Sequence, residues 1–125
     1  MWNKRKLLIV DDNTMIRDLL VDSFGEDYEV HEAINGEEGL QAAERIRPDI
    51  ILLDVNMPDM SGIQALRKLA HSSTTSKIPV IILTSSEYTQ DVKNEAEKCA
   101  NLKGFMSKLV SAETIKDRIK EVLKK

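Results

Sequence analysis

The chain has 125 residues, 42% of them hydrophobic and 31% charged, which are ordinary values for one globular domain and exclude a disordered chain as the default reading. Its 18 basic and 21 acidic side chains leave a net charge of −3, so charge alone shows no nucleic-acid footprint. The single Cys99 excludes an intramolecular disulfide and a multi-cysteine zinc site, and no apolar run approaches the length of a membrane span or a secretory h-region. These features lead us to expect a soluble cytoplasmic protein.

Short apolar runs alternate with helical patterns along the chain. Residues 7–10 (Leu-Leu-Ile-Val) read as a buried strand, followed by Met15, Ile16, Leu19, Leu20 and Phe24 at helical spacing, with Gly25 as a stop. Residues 28–33 form a second, more polar strand carrying Glu29, His31 and Glu32. Asn35-Gly36 is a turn signal, and the helix predicted over 37–46 ends at Pro48. The third strand is 50–53. A loop flanked by Pro58 and Gly62 leads to a helix marked by Ile63, Leu66 and Leu69. A polar loop over 71–77 and Pro79 precede the fourth strand, 80–83. Val92, Ala96, Cys99 and Ala100 mark a fourth helix, with Cys99 on its apolar stripe. A short fifth strand covers 104–106. Ile115, Ile119, Val122 and Leu123 give the last helix a clear apolar face, with Ser111 or a neighbour as its N-cap.

Five strand–helix units predict a parallel sheet with helices on both faces. The continuously apolar first, third and fourth strands belong in the middle, and the polar second and short fifth strands at the edges. Right-handed crossovers then favour the order 2-1-3-4-5, the flavodoxin-like doubly wound arrangement with five helices. Its ligand crevice lies at the carboxyl ends of strands one and three, where the winding reverses.

Asp11 and Asp12 directly follow strand one, Asp54 follows strand three, Thr84 follows strand four and Lys108 follows strand five. Singly, each has an ordinary reading: a helix cap for Asp12 or Asn13, a turn for Asp54, a solvated charge for Lys108. Jointly they converge on one crevice. Three neighbouring carboxylates repel one another, and a hard cation such as Mg²⁺ relieves the conflict. A carboxylate can also attack phosphorus to form an aspartyl-phosphate, with a lysine and a hydroxyl meeting the phosphoryl oxygens.

These residues resemble the receiver domain of two-component response regulators. The resemblance spans the chain: Leu8-Ile9-Val10-Asp11-Asp12; Arg47-Pro48-Asp49 leading to Leu52-Leu53-Asp54; Met57-Pro58 and Gly62; Pro79-Val80-Ile81; Leu83-Thr84-Ser85; then Gly104-Phe105 and Lys108. The separations of 42 residues between Asp12 and Asp54, and 30 between Asp54 and Thr84, are typical of that family. It implies Asp54 as phosphoacceptor, and Mg²⁺ held by Asp11, Asp12, Asp54 and the Asn56 backbone carbonyl. Thr84 and Lys108 would contact the phosphoryl group, with Thr84 and Phe105 as switch residues. It further implies a sensor histidine kinase or histidine phosphotransfer protein as donor, self-catalysed dephosphorylation, and a downstream protein target met through helix four, strand five and helix five. The whole of 1–125 reads as a single, stand-alone receiver domain.

The pattern departs from the family in two places. Lys108 is followed by Leu109 rather than proline, leaving open whether that bond is cis or trans. The 24 residues between Thr84 and Lys108 are slightly more than usual, the excess falling around 100–103. The rival readings are a pseudo-receiver that binds a partner without phosphorylation, a haloacid-dehalogenase-like phosphatase, and a flavin carrier. The phosphatase reading is disfavoured by Asn56 and Asn13, which stand where a second acid is needed. The flavin reading is disfavoured by Asp11 and Asp12, which would repel the flavin phosphate. Lys116, Arg118, Lys120, Lys124 and Lys125 make the outer side of the last helix basic, most simply as a solvated face. Met15, Met57, Met60 and Met106 read as packing residues, His31 and His71 as surface residues. Trp2 reads either as frayed or as packed on the sheet edge.

Overall fold

The computed structural model describes residues 4–84 and 90–124; Trp2, Ser85 and Lys125 lie outside them. Strands β1 (Lys6–Val10), β2 (Glu29–Ala33), β3 (Ile50–Asp54), β4 (Val80–Thr84) and β5 (Leu102–Ser107) alternate with helices α1 (Thr14–Phe24), α2 (Gly36–Ile46), α3 (Gly62–His71), α4 (Gln90–Glu97) and α5 (Ala112–Leu123). The strands form one parallel sheet in the order β2-β1-β3-β4-β5, as the patterning predicts.

The two-residue period of the central strands divides their side chains between two cores. Leu8, Val10, Ile51, Leu53, Val80 and Ile82 pack with Ala42 and Ala43 of α2, Leu66 of α3 and Ala96 of α4. Leu7, Ile9, Ile50, Leu52, Ile81 and Leu83 pack on the opposite face with Leu20 and Phe24 of α1 and Ile115 and Ile119 of α5. Each large aliphatic side chain removed from water contributes about 1.5–3 kcal/mol. A one-residue slip of any central strand would exchange its contributions to the two cores.

Local chemistry sets the helix boundaries. The Asn13 side chain accepts the Ile16 N–H and starts α1, so Asn13 supplies the cap and Asp12 does not. Asn35 and Ser111 do the same for α2 and α5, and Ser61 with Gln64 forms a capping box on α3. Tyr28 precedes β2 rather than joining it and stands edge-on to Phe24, ring centroids 6.3 Å apart.

Three expectations are corrected, and one open question is settled. Met15 and Leu19 are 81% and 59% exposed: residues 16, 20 and 24 line the inward side of α1, and 15 and 19 flank it on the solvent side. Of the other methionines read as packing residues, Met57 and Met60 pack against one core and Met106 against the other. Helix α4 ends at Glu97, so Cys99 is buried from the turn after the helix: Lys98 and Cys99 donate to the carbonyls three residues back, and this tighter turn closes the helix. The region around 100–103, where the excess was expected between helix four and strand five, lies partly inside β5. Val80 pairs with Leu102 and Ile81 with Gly104, so Lys103 is an added bulge residue whose carbonyl accepts from Arg118 Nη2 at 2.7 Å. The Lys108–Leu109 bond is trans.

Candidate functional site

Because every strand is parallel, all five carboxyl ends open at one edge of the sheet. β1 and β3 are neighbours there although α1, β2 and α2 separate them in sequence. Their first residues beyond or at the strand end are acidic. Oxygen atoms of Asp11, Asp12 and Asp54 lie within 4.8 Å of one another. Asp11 and Asp54 are buried, and Asp12 faces solvent on the open side.

Lys108 enters this cluster from the loop after β5. Its backbone N–H donates to the Thr84 carbonyl at 2.8 Å, which ties the end of β5 to the end of β4. Its side chain is 8% exposed, with Nζ 2.6 Å from Asp11 Oδ2 and 3.3 Å from Asp54 Oδ1. One ammonium therefore serves two buried carboxylates and holds Asp11 more closely than Asp54. The other Asp11 oxygen, Oδ1, accepts the Asn13 N–H at 2.9 Å, and Asp54 Oδ1 accepts the Asn56 N–H at 3.3 Å. Burial first, and then the negative Asp11, push the Asp54 pKa up to about 6, against the opposing pull of Lys108 and the Asn56 N–H.

Among the sequence-predicted residues, Asp11, Asp12, Asp54 and Lys108 are gathered into one cluster, and Thr84, 2% exposed, closes the adjoining strand end. Asn56 is exposed beside Asp54. Phe105 stands two residues back from the end of β5, opposite Ile82, and packs half-buried against the core on the α2, α3 and α4 side.

Two residues to which the sequence pattern assigned no role at the site also shape it. Arg17 is one: its guanidinium donates to the Asp11 carbonyl at 2.7 Å and reaches Glu32 and Thr14. A lone cation on a helix face otherwise apolar and acidic was its only trace in the sequence. Gly62 is the other. A Cβ there would stand 2.1 Å from the Asp54 carbonyl oxygen and 2.8 Å from Val55 Cα, so the start of α3 can press on the end of β3 only with hydrogen at that position.

The donor set fits a hard divalent cation. It offers carboxylate oxygens only, one of them exposed, and two buried carboxylates share a single ammonium. A doubly wound sheet with an acidic crevice at its switch point defines the receiver class of α/β domains, and the comparisons agree. A family model described as the response regulator receiver domain matches residues 7–120. Protein PilH of Pseudomonas aeruginosa is 34% identical over 119 residues, covering 94% of this chain and 97% of that protein. The transcriptional regulatory protein YdfI of Bacillus subtilis is 35% identical over 113 residues, and the chain spans about half (51%) of its length. Among solved structures, a CheY-like receiver domain protein from Methanospirillum hungatei superposes with a TM-score of 0.90 at 27% identity, covering 98% of this chain and 95% of that one. Chemotaxis protein CheY4 of Vibrio cholerae gives 0.87 at 30% identity, covering 96% and 99%.

The chain belongs to the response regulator receiver domain family, whose standard function is a phosphorylation-activated switch in two-component signalling.

Proposed function

We propose that Asp54 is the phosphoacceptor of this switch. A phosphohistidine on a sensor kinase or phosphotransfer protein is the donor. An Asp54 carboxylate oxygen attacks the phosphorus, the new O–P bond forms as the P–N bond breaks, and the imidazole leaves with the electron pair. Hydrolysis by water later returns the free carboxylate and inorganic phosphate, a step this family performs on itself. The observation that carries the reading is the buried Lys108 ammonium set between Asp11 and Asp54, with Asp12 completing an oxygen cluster within 4.8 Å.

Asp11, Asp12, Asp54 and the Asn56 backbone carbonyl are the residues that would hold Mg²⁺, which supplies neutralising charge for the phosphoryl oxygens. Asp12, on the open side, is the ligand nearest solvent. Lys108 Nζ, 2.6 Å from Asp11 Oδ2 and 3.3 Å from Asp54 Oδ1, would turn from Asp11 towards a phosphoryl oxygen. The Thr84 hydroxyl at the end of β4 donates to another. Drawing Thr84 towards the crevice pulls the end of β4 and makes room for Phe105 to turn inward. The exposed surface of α4, β5 and α5 then changes, and a downstream protein reads the difference. The shift requires contacts that differ between the two states, and the phosphoryl charge and its acceptor oxygens supply them. We place the protein in the cytoplasm, in keeping with its charged surface; among the described residues no helix is long and apolar enough to cross a membrane.

Incubation with acetyl phosphate and Mg²⁺, followed by intact mass measurement, tests the assignment. The wild type should gain one phosphoryl group and Asp54→Asn none. Equal labelling of the variant would move the acceptor elsewhere. An unlabelled wild type beside a labelled control receiver would favour a phosphorylation-independent binding module.

A further inference from the structure

Arg17 sits about one turn into α1, outside the acidic cluster and absent from the reaction outlined above. Its side chain is only 12% exposed, unusual for an arginine near the start of a surface helix. Nη1 donates to the Asp11 backbone carbonyl at 2.7 Å, Nη2 to Thr14 Oγ1 at 3.3 Å, and Nε to Glu32 Oε1 at 3.3 Å. One rigid guanidinium thus joins the end of β1, the first turn of α1 and the end of β2.

The contact with Asp11 is made to the main chain. That carbonyl belongs to the peptide unit linking Asp11 to Asp12. Holding it in place sets ψ of Asp11 and φ of Asp12, and hence the direction in which each Cα–Cβ bond leaves the backbone. The N–H of Asp11 is held as well, by the Ala33 carbonyl at 3.1 Å, and its Oδ1 by the Asn13 N–H. Asp12 is exposed, so its aim depends heavily on the peptide plane from which it grows.

We propose that Arg17 is a positioning residue for the divalent-cation site: it fixes the Asp11–Asp12 peptide so that both carboxylates aim at one point. This inference rests on the metal assignment proposed above. Groups that orient ligands from behind typically change metal affinity by about 10–100-fold when removed. Arg17 acts on the backbone rather than on the carboxylates, so the lower end of that range applies. Its charge works the other way, because a cation near the site repels another cation. The structure therefore sets two effects against each other, and geometry should prevail because Glu32 already partners the guanidinium charge.

The test is Mg²⁺ binding by the unphosphorylated protein, measured by calorimetry and by the rise in melting temperature with Mg²⁺, for wild type, Arg17→Ala and Arg17→Lys. Arg17→Ala should raise the half-saturating Mg²⁺ concentration about tenfold. Arg17→Lys keeps the charge but cannot make the three-way contact, so it should recover less than half of the loss on a logarithmic scale. It also serves should the alanine variant fail to fold. A merely structural role would lower the melting temperature of both variants without moving half-saturation, and that outcome overturns the proposal. Tighter binding in Arg17→Ala with wild-type binding in Arg17→Lys would show that charge governs, and overturns it too. Absence of Mg²⁺ binding by the wild type would instead remove the metal assignment, and this inference with it.

Discussion

Replacing Asp54 by asparagine should stabilise the metal-free protein, by an amount that depends on pH in a defined direction. The native carboxyl has its pKa raised from 3.8 to about 6, chiefly by burial and then by Asp11. Between those values the unfolded chain releases the proton while the native site keeps it. The unfolded state then binds fewer protons, so wild-type stability falls as pH rises through this window. Above about pH 6 the penalty is complete. A rise of about two pH units, at about 1.4 kcal/mol each, amounts to about 3 kcal/mol. Asparagine has nearly the same shape, keeps an oxygen for the Asn56 N–H and carries no charge, so the penalty disappears. Urea unfolding of both proteins in chelator-treated buffer measures the effect; with a slope near 2 kcal/mol/M the midpoint should move up by about 1.5 M at pH 7.5. The difference should shrink towards zero near pH 4. Added Mg²⁺ should close it as well, since it stabilises the native wild type by mass action and the variant far less. A variant no more stable than wild type at pH 7.5, or an advantage independent of pH, would refute the reasoning.

Lys108→Ala leaves Asp11 and Asp54 buried and facing each other without their shared cation, so the metal-free protein should lose about 3–5 kcal/mol at neutral pH. Denaturation with and without Mg²⁺ should show much of that loss restored by the ion. The variant should also have the same partner affinity before and after phosphorylation, and a normal response would count against the proposed role of Lys108. Gly62→Ala places a methyl group against the backbone at the end of β3, where neither neighbour is a flexible side chain, so it should cost about 3 kcal/mol and weaken Mg²⁺ binding through displacement of Asp54. An unchanged melting temperature would mean that α3 has room to withdraw.

The order of elements, the parallel sheet and the converging acids were legible in the sequence because they depend on local features. The four-residue apolar runs, short and alternating with helical patterns, read as buried strands, and their shared direction brings the residues after them to one edge. Cap-forming side chains marked helix starts at Asp12 or Asn13 and around Ser111, and the fold selected Asn13 and Ser111. Tertiary structure decided what pattern leaves open. Whether Met15 or Ile16 faces inward depends on the rotation of α1 against the sheet, and residues adjacent in sequence lie about 100° apart around a helix. The bulge at Lys103 depends on how β5 pairs with β4, and the single residue it adds leaves no mark in composition. Lys108 was expected to meet a phosphoryl group; only the fold shows it already engaged, nearer Asp11 than Asp54. The raised Asp54 pKa and the hold of Arg17 on the Asp11 carbonyl share this origin. Desolvation, charge repulsion and a side chain reaching a backbone carbonyl are properties of distances in space, and chain spacing alone does not contain them.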